Sequence, residues 1–134
     1  AHSPDGLKHL LETLRALTKG QLILVFGAGG ERDKDKRKPM GAIANKYCDL
    51  IYVTDDNPRH EDSKSIRRQI INTCPSAIEI EDRAEAITTA IHGARLDDIV
   101  IIAGKGHERV QIVKDNHFPF SDFEQASIAI ELLE

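Results

Sequence analysis

Two short polar clusters carry the residue types that bind a doubly charged ligand. The first is Asp-Asn-Pro-Arg at residues 56–59, and the second is Gly-Lys-Gly-His-Glu at residues 104–108. Each cluster directly follows an apolar run that is typical of a buried strand. If these strands are parallel neighbours, Arg59 and Lys105 offer cations at one sheet edge, and an acidic residue of each cluster offers a carboxylate. Such an edge suits a ligand with both charges, for example an amino acid.

A third loop, at residues 27–40, begins with glycines and continues with many charges. Glycines after a strand allow backbone N–H groups to approach a ligand closely. Gly27 and Gly29 match the start of the Gly-x-Gly-x-x-Gly dinucleotide fingerprint, but Arg32 stands at the third glycine position. This bulky cation argues against a nicotinamide or flavin site. Arg32 is instead suited to pair with a carboxylate or a phosphate.

Each loop taken alone also fits a plainer role. The glycine loop fits a charged surface segment, the Asp-Asn-Pro-Arg turn fits a solvent-facing turn, and His107 fits a structural hydrogen bond as well as a base or metal ligand. The second cluster is not a phosphate-binding P-loop, because Ile99 and Gly106 stand where that motif requires Gly and Ser or Thr. The six histidines show no metal-ligand spacing, so we assign neither a metal ligand nor a catalytic residue.

Apolar spacing predicts the elements that carry these loops. Helices are expected at 5–18, 40–48, 63–71, 82–94 and 121–133, and strands at 21–26, 50–54, 77–80, 98–103, 110–113 and 117–120. This alternation predicts an α/β fold, with a mostly parallel sheet, helices on both faces and a C-terminal antiparallel hairpin. Ligands bind beyond the carboxyl ends of such strands. Gly27, Asp55 and Gly104 are therefore expected at one edge of the sheet.

Helix caps are expected at both ends of the chain. Ser3 or Asp5 is available to cap the first helix, with Pro4 near its start. Ser121 and Glu124 have the spacing of a capping box at the start of the last helix.

Length and composition predict a single domain over residues 1–134 with a real core. A net charge of −4 argues against nucleic acid as a partner, and no apolar run approaches the roughly 18 residues that span a membrane. Cys48 and Cys74 are expected to be reduced thiols of a cytoplasmic protein. The only methionine is Met40, so we expect the chain to be a piece of a longer protein.

The three loops, in their order, resemble the C-terminal domain of the Mur ligases. The matching segments are Gly-x-Gly-Gly-Glu-Arg-Asp, Asp-Asn-Pro-Arg and Gly-Lys-Gly-His-Glu, together with the opening Ala-His-Ser-Pro-Asp. More specifically, they are similar to the members that add meso-diaminopimelate to UDP-N-acetylmuramoyl-L-alanyl-D-glutamate in peptidoglycan synthesis. The resemblance covers essentially the whole chain and implies a Rossmann-like domain.

The resemblance also implies a function. Mur ligases have a UDP-sugar domain, a central ATPase domain that uses ATP and Mg²⁺, and a C-terminal domain that presents an amino acid to an acyl-phosphate. The isolated domain is expected to be inactive, because the chain has no P-loop. By matching positions, Arg59 would pair with the distal carboxylate that lysine lacks, and His2 would lie near the adenine. The residues implied to bind meso-diaminopimelate are Arg32, Asp56, Asn57, Pro58, Arg59, Gly104 and Glu108.

The chain departs from the family pattern in two places. The family has Lys-Arg-Pro before Met-Gly, whereas here Pro39 is displaced by one position, which affects the expected shape of that loop. Glu31 replaces the more common aspartate.

Two other functions stay open at this point. One is a freestanding α/β module that binds a nucleotide through the glycine loop. The other is an oxidoreductase with a degenerate fingerprint, which would use Asp55 on a ribose.

Overall fold

A parallel four-stranded sheet lies at the centre of the fold, and a separate two-stranded antiparallel hairpin follows it. The computed structural model describes residues 3–32, 34–104 and 110–133. The helices are α1 (Pro4–Leu17), α2 (Arg37–Tyr47), α3 (Ser63–Ile71), α4 (Arg83–Gly93) and α5 (Asp122–Glu131). The strands are β1 (Leu22–Phe26), β2 (Leu50–Val53), β3 (Ile78–Glu79), β4 (Ile99–Ala103), β5 (Val110–Val113) and β6 (Asn116–Pro119).

The central strand β1 is buried along its whole length, because helices cover both faces of the sheet. Alternate side chains of β1 point into two cores. Leu24 packs in the core formed with α1, α2 and α3, whereas Val25 packs in the core formed with α4 and α5. In register, Leu24 lies between Ile51 of β2 and Ile101 of β4. The predicted parallel sheet with helices on both faces and the terminal hairpin are confirmed.

The parallel arrangement brings three loops to one edge. The strands β2, β1 and β4 are neighbours and run in the same direction, so their carboxyl ends, at Val53, Phe26 and Ala103, lie side by side. The loops that follow these strands contain the predicted site residues. The sheet order therefore creates the shared edge that the sequence predicts.

Local capping sets several helix starts. The Ser3 hydroxyl accepts a hydrogen bond from the Gly6 N–H at 3.1 Å, and the Ser121 hydroxyl accepts one from the Glu124 N–H at 3.3 Å. Asp62 caps α3 and Asp82 caps α4 in the same way, through their side-chain oxygens. These bonds satisfy N–H groups that the first turn of a helix leaves without an intrahelical partner.

The start of α2 differs from the sequence prediction. We expected the helix to begin at residue 40, after Pro39, but it begins at Arg37, directly after a 3₁₀ turn at Lys34–Lys36. Pro39 fits because it lies in the first turn, where its missing N–H removes no intrahelical bond. The displaced proline is thus part of the helix and not of the loop. The other boundaries differ from the prediction by up to two residues.

Both cysteines are free thiols, and both pack in the core formed with α1, α2 and α3. Burial raises the pKa of the Cys48 thiol to about 12 and that of the Cys74 thiol to about 11. Both groups are therefore protonated at neutral pH. Among the described residues, no helix combines the length and the apolar character needed to cross a membrane.

A buried ion pair between α4 and α5 is bonded to the carboxyl edge of the sheet. Arg83, at the start of α4, is fully buried. Its Nε and Nη2 donate to the two carboxylate oxygens of Asp122 at 2.7 and 2.8 Å. The same guanidinium donates to the backbone carbonyls of Asp55 and Ala103, each at 3.1 Å. Arg83 thereby joins the ends of β2 and β4 to the start of α5.

Asp122→Asn is expected to lower the free energy of unfolding by about 3 kcal/mol, because the substitution leaves a buried guanidinium without its countercharge. Urea unfolding at pH 7, followed by circular dichroism, measures the change. Glu124→Gln, at an exposed position of the same helix, is the matched control and should shift the free energy by less than about 0.5 kcal/mol. An Asp122→Asn variant as stable as the control would contradict this role for Arg83.

Candidate functional site

A cavity of about 280 Å³ opens beyond the carboxyl edge of the sheet. Its described lining comes from the glycine loop, the start of α2, the loop after β2 and the end of β4. The lining residues are Gly27, Ala28, Gly29, Arg32, Lys36, Met40, Asp56, Asn57, Arg59 and Gly104. Three cationic side chains and one carboxylate thus face one small space. This is the charge pattern that a zwitterionic ligand requires.

Arg59 is held in place by the backbone around it. Its Nη1 donates to the carbonyl oxygen of Gly30 at 3.1 Å and to that of Asn57 at 3.3 Å. The residue has φ +55°, in the left-handed region that side chains other than glycine rarely adopt. The guanidinium is therefore oriented by bonds to both loops before any ligand is bound. Such pre-orientation lowers the entropy cost of recognition.

The glycine loop and the loop after β2 touch at Gly30. The Gly30 N–H donates to the Asn57 carbonyl at 2.7 Å. A Cβ at position 30 would overlap the Pro58 carbonyl oxygen, so only glycine allows this approach of the two backbones. Pro58 is buried at that contact and is not among the residues that line the cavity.

Arg37 and Glu61 join the same two loops with charged groups. Arg37 is fully buried, and its Nη1 and Nη2 donate to the two Glu61 carboxylate oxygens at 2.6 and 2.8 Å. Arg37 Nη2 also donates to the Gly29 carbonyl at 2.9 Å. Across the same contact, Glu31 Oε1 accepts from the His60 N–H at 2.8 Å. Charge-assisted bonds of this kind are short and directional.

The hairpin contacts the loop at residues 56–60. Gln111 Nε2 donates to the Asp56 carbonyl at 2.9 Å, and the Lys114 N–H donates to the Arg59 carbonyl. His60 Nε2 lies 2.8 Å from Asp115 Oδ1. The loop at residues 56–60 is thus bonded to the hairpin as well as to the glycine loop.

Asp55 takes part in an ion pair with α3. Arg67 Nη1 donates to Asp55 Oδ1 at 2.6 Å, and Arg67 Nε donates to Glu79 Oε2 at 2.8 Å. Burial raises the pKa of the Asp55 carboxyl, although the Arg67 hydrogen bond opposes the shift. A carboxylate that is engaged in this way is poorly placed to bind a ribose, which counts against the oxidoreductase alternative.

The structure brings together most of the predicted site residues. Arg32, Asp56, Asn57, Arg59 and Gly104 all line the cavity. Asp56 and Asn57 are buried there, at 8% and 2% exposure, whereas Arg32 is exposed. The predictions for His2 and Glu108 lie outside the described residues. The roles of all these residues in binding stay predictions.

Two residues that shape the site are not predicted from the sequence. Lys36 lines the cavity, and Arg37 is buried behind it, whereas we expected the charged run before Met40 to be one loop. Arg37 stands between two lysines in a run of three basic residues, so nothing in the composition separates the buried arginine from its neighbours. In the described part of the chain, no group of three or more His, Cys, Asp or Glu residues is arranged to hold a metal ion.

The fold and the cavity define an α/β domain with a preformed, charged ligand site at the carboxyl edge of its sheet. Residues 1–106 match the family model of the Mur ligase, glutamate ligase domain. The chain belongs to the Mur ligase family, and the resemblance on which the sequence prediction rested is confirmed.

Individual relatives agree with this assignment. The chain is 48% identical over 134 residues to the UDP-N-acetylmuramoyl-L-alanyl-D-glutamate–2,6-diaminopimelate ligase of Agrobacterium fabrum. It is 51% identical over 131 residues to the ligase of the same name from Caulobacter vibrioides. The alignments cover 100% and 98% of this chain. The chain spans only 27% of the length of each relative.

Solved structures give the same result for the fold. A ligase structure of the same name superposes with a TM-score of 0.93 at 38% identity, covering 99% of this chain and 28% of that one. Escherichia coli FolC in complex with ADP superposes with a TM-score of 0.64 at 19% identity, covering 99% of this chain and 27% of FolC. The second match shows a shared fold alone. Both comparisons confirm the Rossmann-like architecture.

Glu61→Gln is expected to destabilise the chain in a pH-dependent way. The Arg37 hydrogen bonds lower the pKa of the Glu61 carboxyl to about 2 from an ordinary value of 4.5. The ionised carboxylate therefore stabilises the fold fully above pH 4.5, and this stabilisation is lost as the pH falls toward 2. At pH 7 the substitution should cost about 2 kcal/mol.

Urea unfolding of both proteins at pH 7, 5, 4 and 3.5 tests this expectation. The difference between wild type and Glu61→Gln should be largest at the two higher pH values and should shrink below them. Glu31→Gln is the control, since its exposed side chain keeps an oxygen that accepts from His60. A difference that is constant from pH 7 to pH 3.5 would show that the charge of Glu61 contributes nothing.

Proposed function

We propose that this chain is the amino-acid-binding domain of a longer, three-domain ligase. The ligase would add meso-diaminopimelate to UDP-N-acetylmuramoyl-L-alanyl-D-glutamate in peptidoglycan synthesis. The names of the two bacterial relatives and of the solved ligase support this substrate pair. The whole of residues 1–134 would act as one domain, in the cytoplasm, where the nucleotide-linked substrate is made.

The observation that carries the proposal is the fixed Arg59 guanidinium beside a small charged cavity. Its Nη1 is bonded to Gly30 and Asn57, which orients the planar group toward a ligand in the cavity. A planar guanidinium matches a carboxylate in a two-bond, fork-like geometry. The distal carboxylate of meso-diaminopimelate is the group that distinguishes this amino acid from lysine. We assign its recognition to Arg59.

The remaining residues complete a zwitterion site in the proposal. Arg32 would pair with the second carboxylate, and Asp56, Gly104 and Glu108 would hold the distal ammonium group. Asn57 and Pro58 would fix the geometry of the loop, because the residue before a proline has a restricted backbone. The domain would contribute to rate by orienting the attacking amine toward the activated carboxyl group. We assign no general base to it.

We assign ATP and Mg²⁺ mainly to the other domains of the ligase. The sequence contains no P-loop, and the described residues form no cluster suited to a metal ion. The described residues therefore supply neither a phosphate-binding loop nor a metal-ligand cluster for this pair of cofactors. His2 near the adenine remains a prediction. The UDP-sugar substrate would likewise be bound by the other domains.

A freestanding nucleotide-binding module is not favoured. The relatives are ligases about four times as long as the aligned region, and the match to them covers the whole of this chain. The glycine loop also carries an exposed arginine at the third fingerprint position. That side chain does not fit the close helix packing that the third glycine of the motif permits.

Arg59→Lys and Arg59→Gly in the full-length ligase test the proposal. Glycine removes the guanidinium and adopts the left-handed backbone of this position without strain, so the substitution adds no backbone cost. We expect kcat/KM for meso-diaminopimelate to fall about 100-fold or more for glycine and about 10-fold for lysine, which lacks the fork. The Kd for ATP should be unchanged.

Arg68→Lys is the matched control for these variants. Arg68 is exposed on α3 and pairs with Glu79 through Nε at 3.1 Å, away from the cavity lining. This control should keep the activity of the wild type. Full activity of both Arg59 variants would rule out Arg59 as the selectivity residue.

A further inference from the structure

We propose that Arg37 and Glu61 are a positioning pair that sets the affinity of the site for the amino acid. This inference rests on the proposed function. Neither residue is among the described residues that line the cavity. Arg37 is the first residue of α2, and Glu61 lies two residues after Arg59. They would act on the substrate through the loops that they join.

Arg37 and Glu61 are joined by a two-bond fork. Arg37 Nη1 and Nη2 each donate to a different oxygen of Glu61, at 2.6 and 2.8 Å. A fork of this kind fixes the orientation of both side chains, which a single charge–charge contact does not. Arg37 Nη2 also donates to the carbonyl of Gly29, which lines the cavity, at 2.9 Å. The guanidinium therefore holds the glycine loop and Glu61 at a fixed separation.

Glu61 also makes hydrogen bonds to both loops. Glu61 Oε1 accepts from the Glu31 N–H at 2.8 Å, and the Glu61 N–H donates to the Pro58 carbonyl at 3.0 Å. Glu61 thus contacts the glycine loop and the turn that carries Arg59. Arg59 Nη1 closes the connection by donating to the Gly30 carbonyl.

These bonds form a closed ring of contacts around the wall of the cavity. Arg37 donates to the carbonyl of Gly29, and Arg59 donates to the carbonyl of the next residue, Gly30. Glu61 lies two residues after Arg59 and accepts from Arg37, which completes the ring. Any displacement of Glu61 must shift the Arg59 loop relative to the glycine loop. Displacements of about 1 Å in a binding group can change rates by about 100-fold.

Compared with apolar residues at the same positions, such a pair adds little to the free energy of unfolding, so stability alone does not explain its presence. The contribution is small because both charges lose water. The geometry it imposes is specific, since the guanidinium accepts only one relative placement of the carboxylate and the Gly29 carbonyl. The placement of the pair behind a charged cavity indicates a role in orienting the ligand-binding loops.

Glu61→Gln in the full-length ligase tests the inference through a split between kinetic constants. We expect KM for meso-diaminopimelate to rise about 10-fold or more, because the Arg59 loop loses its fixed position. KM for ATP and kcat at saturating amino acid should stay within about twofold of the wild type. The measurement is made well below the unfolding temperature of the variant.

Asp49→Asn is the matched control. Asp49 Oδ2, like Glu61, accepts bonds from an arginine side chain and a backbone N–H, here Arg15 and Leu22, but at the amino end of the sheet. This substitution also breaks an ion pair, yet it should leave KM for meso-diaminopimelate unchanged. An equal rise in KM for Asp49→Asn and Glu61→Gln would overturn the inference, as would an unchanged KM in Glu61→Gln.

If Glu61→Gln does not fold, Glu61→Asp replaces it. Aspartate keeps the negative charge beside the buried Arg37, but its side chain is shorter by one methylene group, so the Arg37 fork and the bond from the Glu31 N–H no longer fit the present loop separation. KM for meso-diaminopimelate should then rise about threefold or more, and an unchanged KM would overturn the inference. A wild-type ligase that does not use meso-diaminopimelate would instead overturn the proposed function.

Discussion

A guanidinium group that is removed from water must find acceptors for its N–H groups, and this constraint organises the carboxyl edge of the sheet. Arg37 and Arg83 are both fully buried. Each pairs with one carboxylate. Arg37 also donates to the Gly29 carbonyl, and Arg83 donates to the carbonyls of Asp55 and Ala103. The acceptors lie on different segments, so the bonds of one arginine fix the relative positions of two or three chain segments, although the buried Nε of Arg37 has no acceptor in the described part of the chain.

This arrangement explains how a site made of loops is kept rigid. Arg83 holds the ends of β2 and β4, and Arg37 holds the glycine loop against the turn that carries Arg59. The hairpin adds a third support through Gln111. Loops usually move more than the elements they connect. Here the loops that line the cavity are bonded to one another and to the helices behind them.

Two residues at the contact between the loops have a strained backbone conformation. Arg59 and Glu31 both have positive φ values, +55° and +64°, at the contact between the two loops. Backbone strain of this kind persists where the surrounding bonds determine the conformation, and it is concentrated at functional sites. Two strained residues that face each other across one contact, next to a charged cavity, agree with a binding role for this edge.

Most of the fold could be predicted from the sequence, because apolar periodicity is a local signal. The strands β1, β2 and β4 follow from short apolar runs, and the shared edge follows from the parallel topology. The burial of Arg37 could not be predicted in this way, since its partner Glu61 is 24 residues away in the sequence. The predicted start of α2 is also wrong, because a proline after a charged run indicates the end of a loop, whereas Pro39 lies in the first helical turn.

The residues that line the cavity also divide into those that the sequence predicts and those that it does not. Arg32, Asp56 and Arg59 were found because glycine and proline mark the turns that carry them. Lys36 was missed because its place at the cavity depends on where α2 begins. The sequence thus identifies polar residues next to strand ends, while the pairing of buried charges requires the three-dimensional structure.

We propose that the turn containing Arg59 recognises the carboxylate that distinguishes meso-diaminopimelate from lysine. The most direct test is an NMR titration of this chain with meso-diaminopimelate and, in parallel, with L-lysine. The account predicts chemical-shift changes at the backbone amides of Arg32, Asn57 and Arg59 with meso-diaminopimelate and much smaller changes with L-lysine. Equal changes at these amides with both amino acids, or no changes with either, would contradict it.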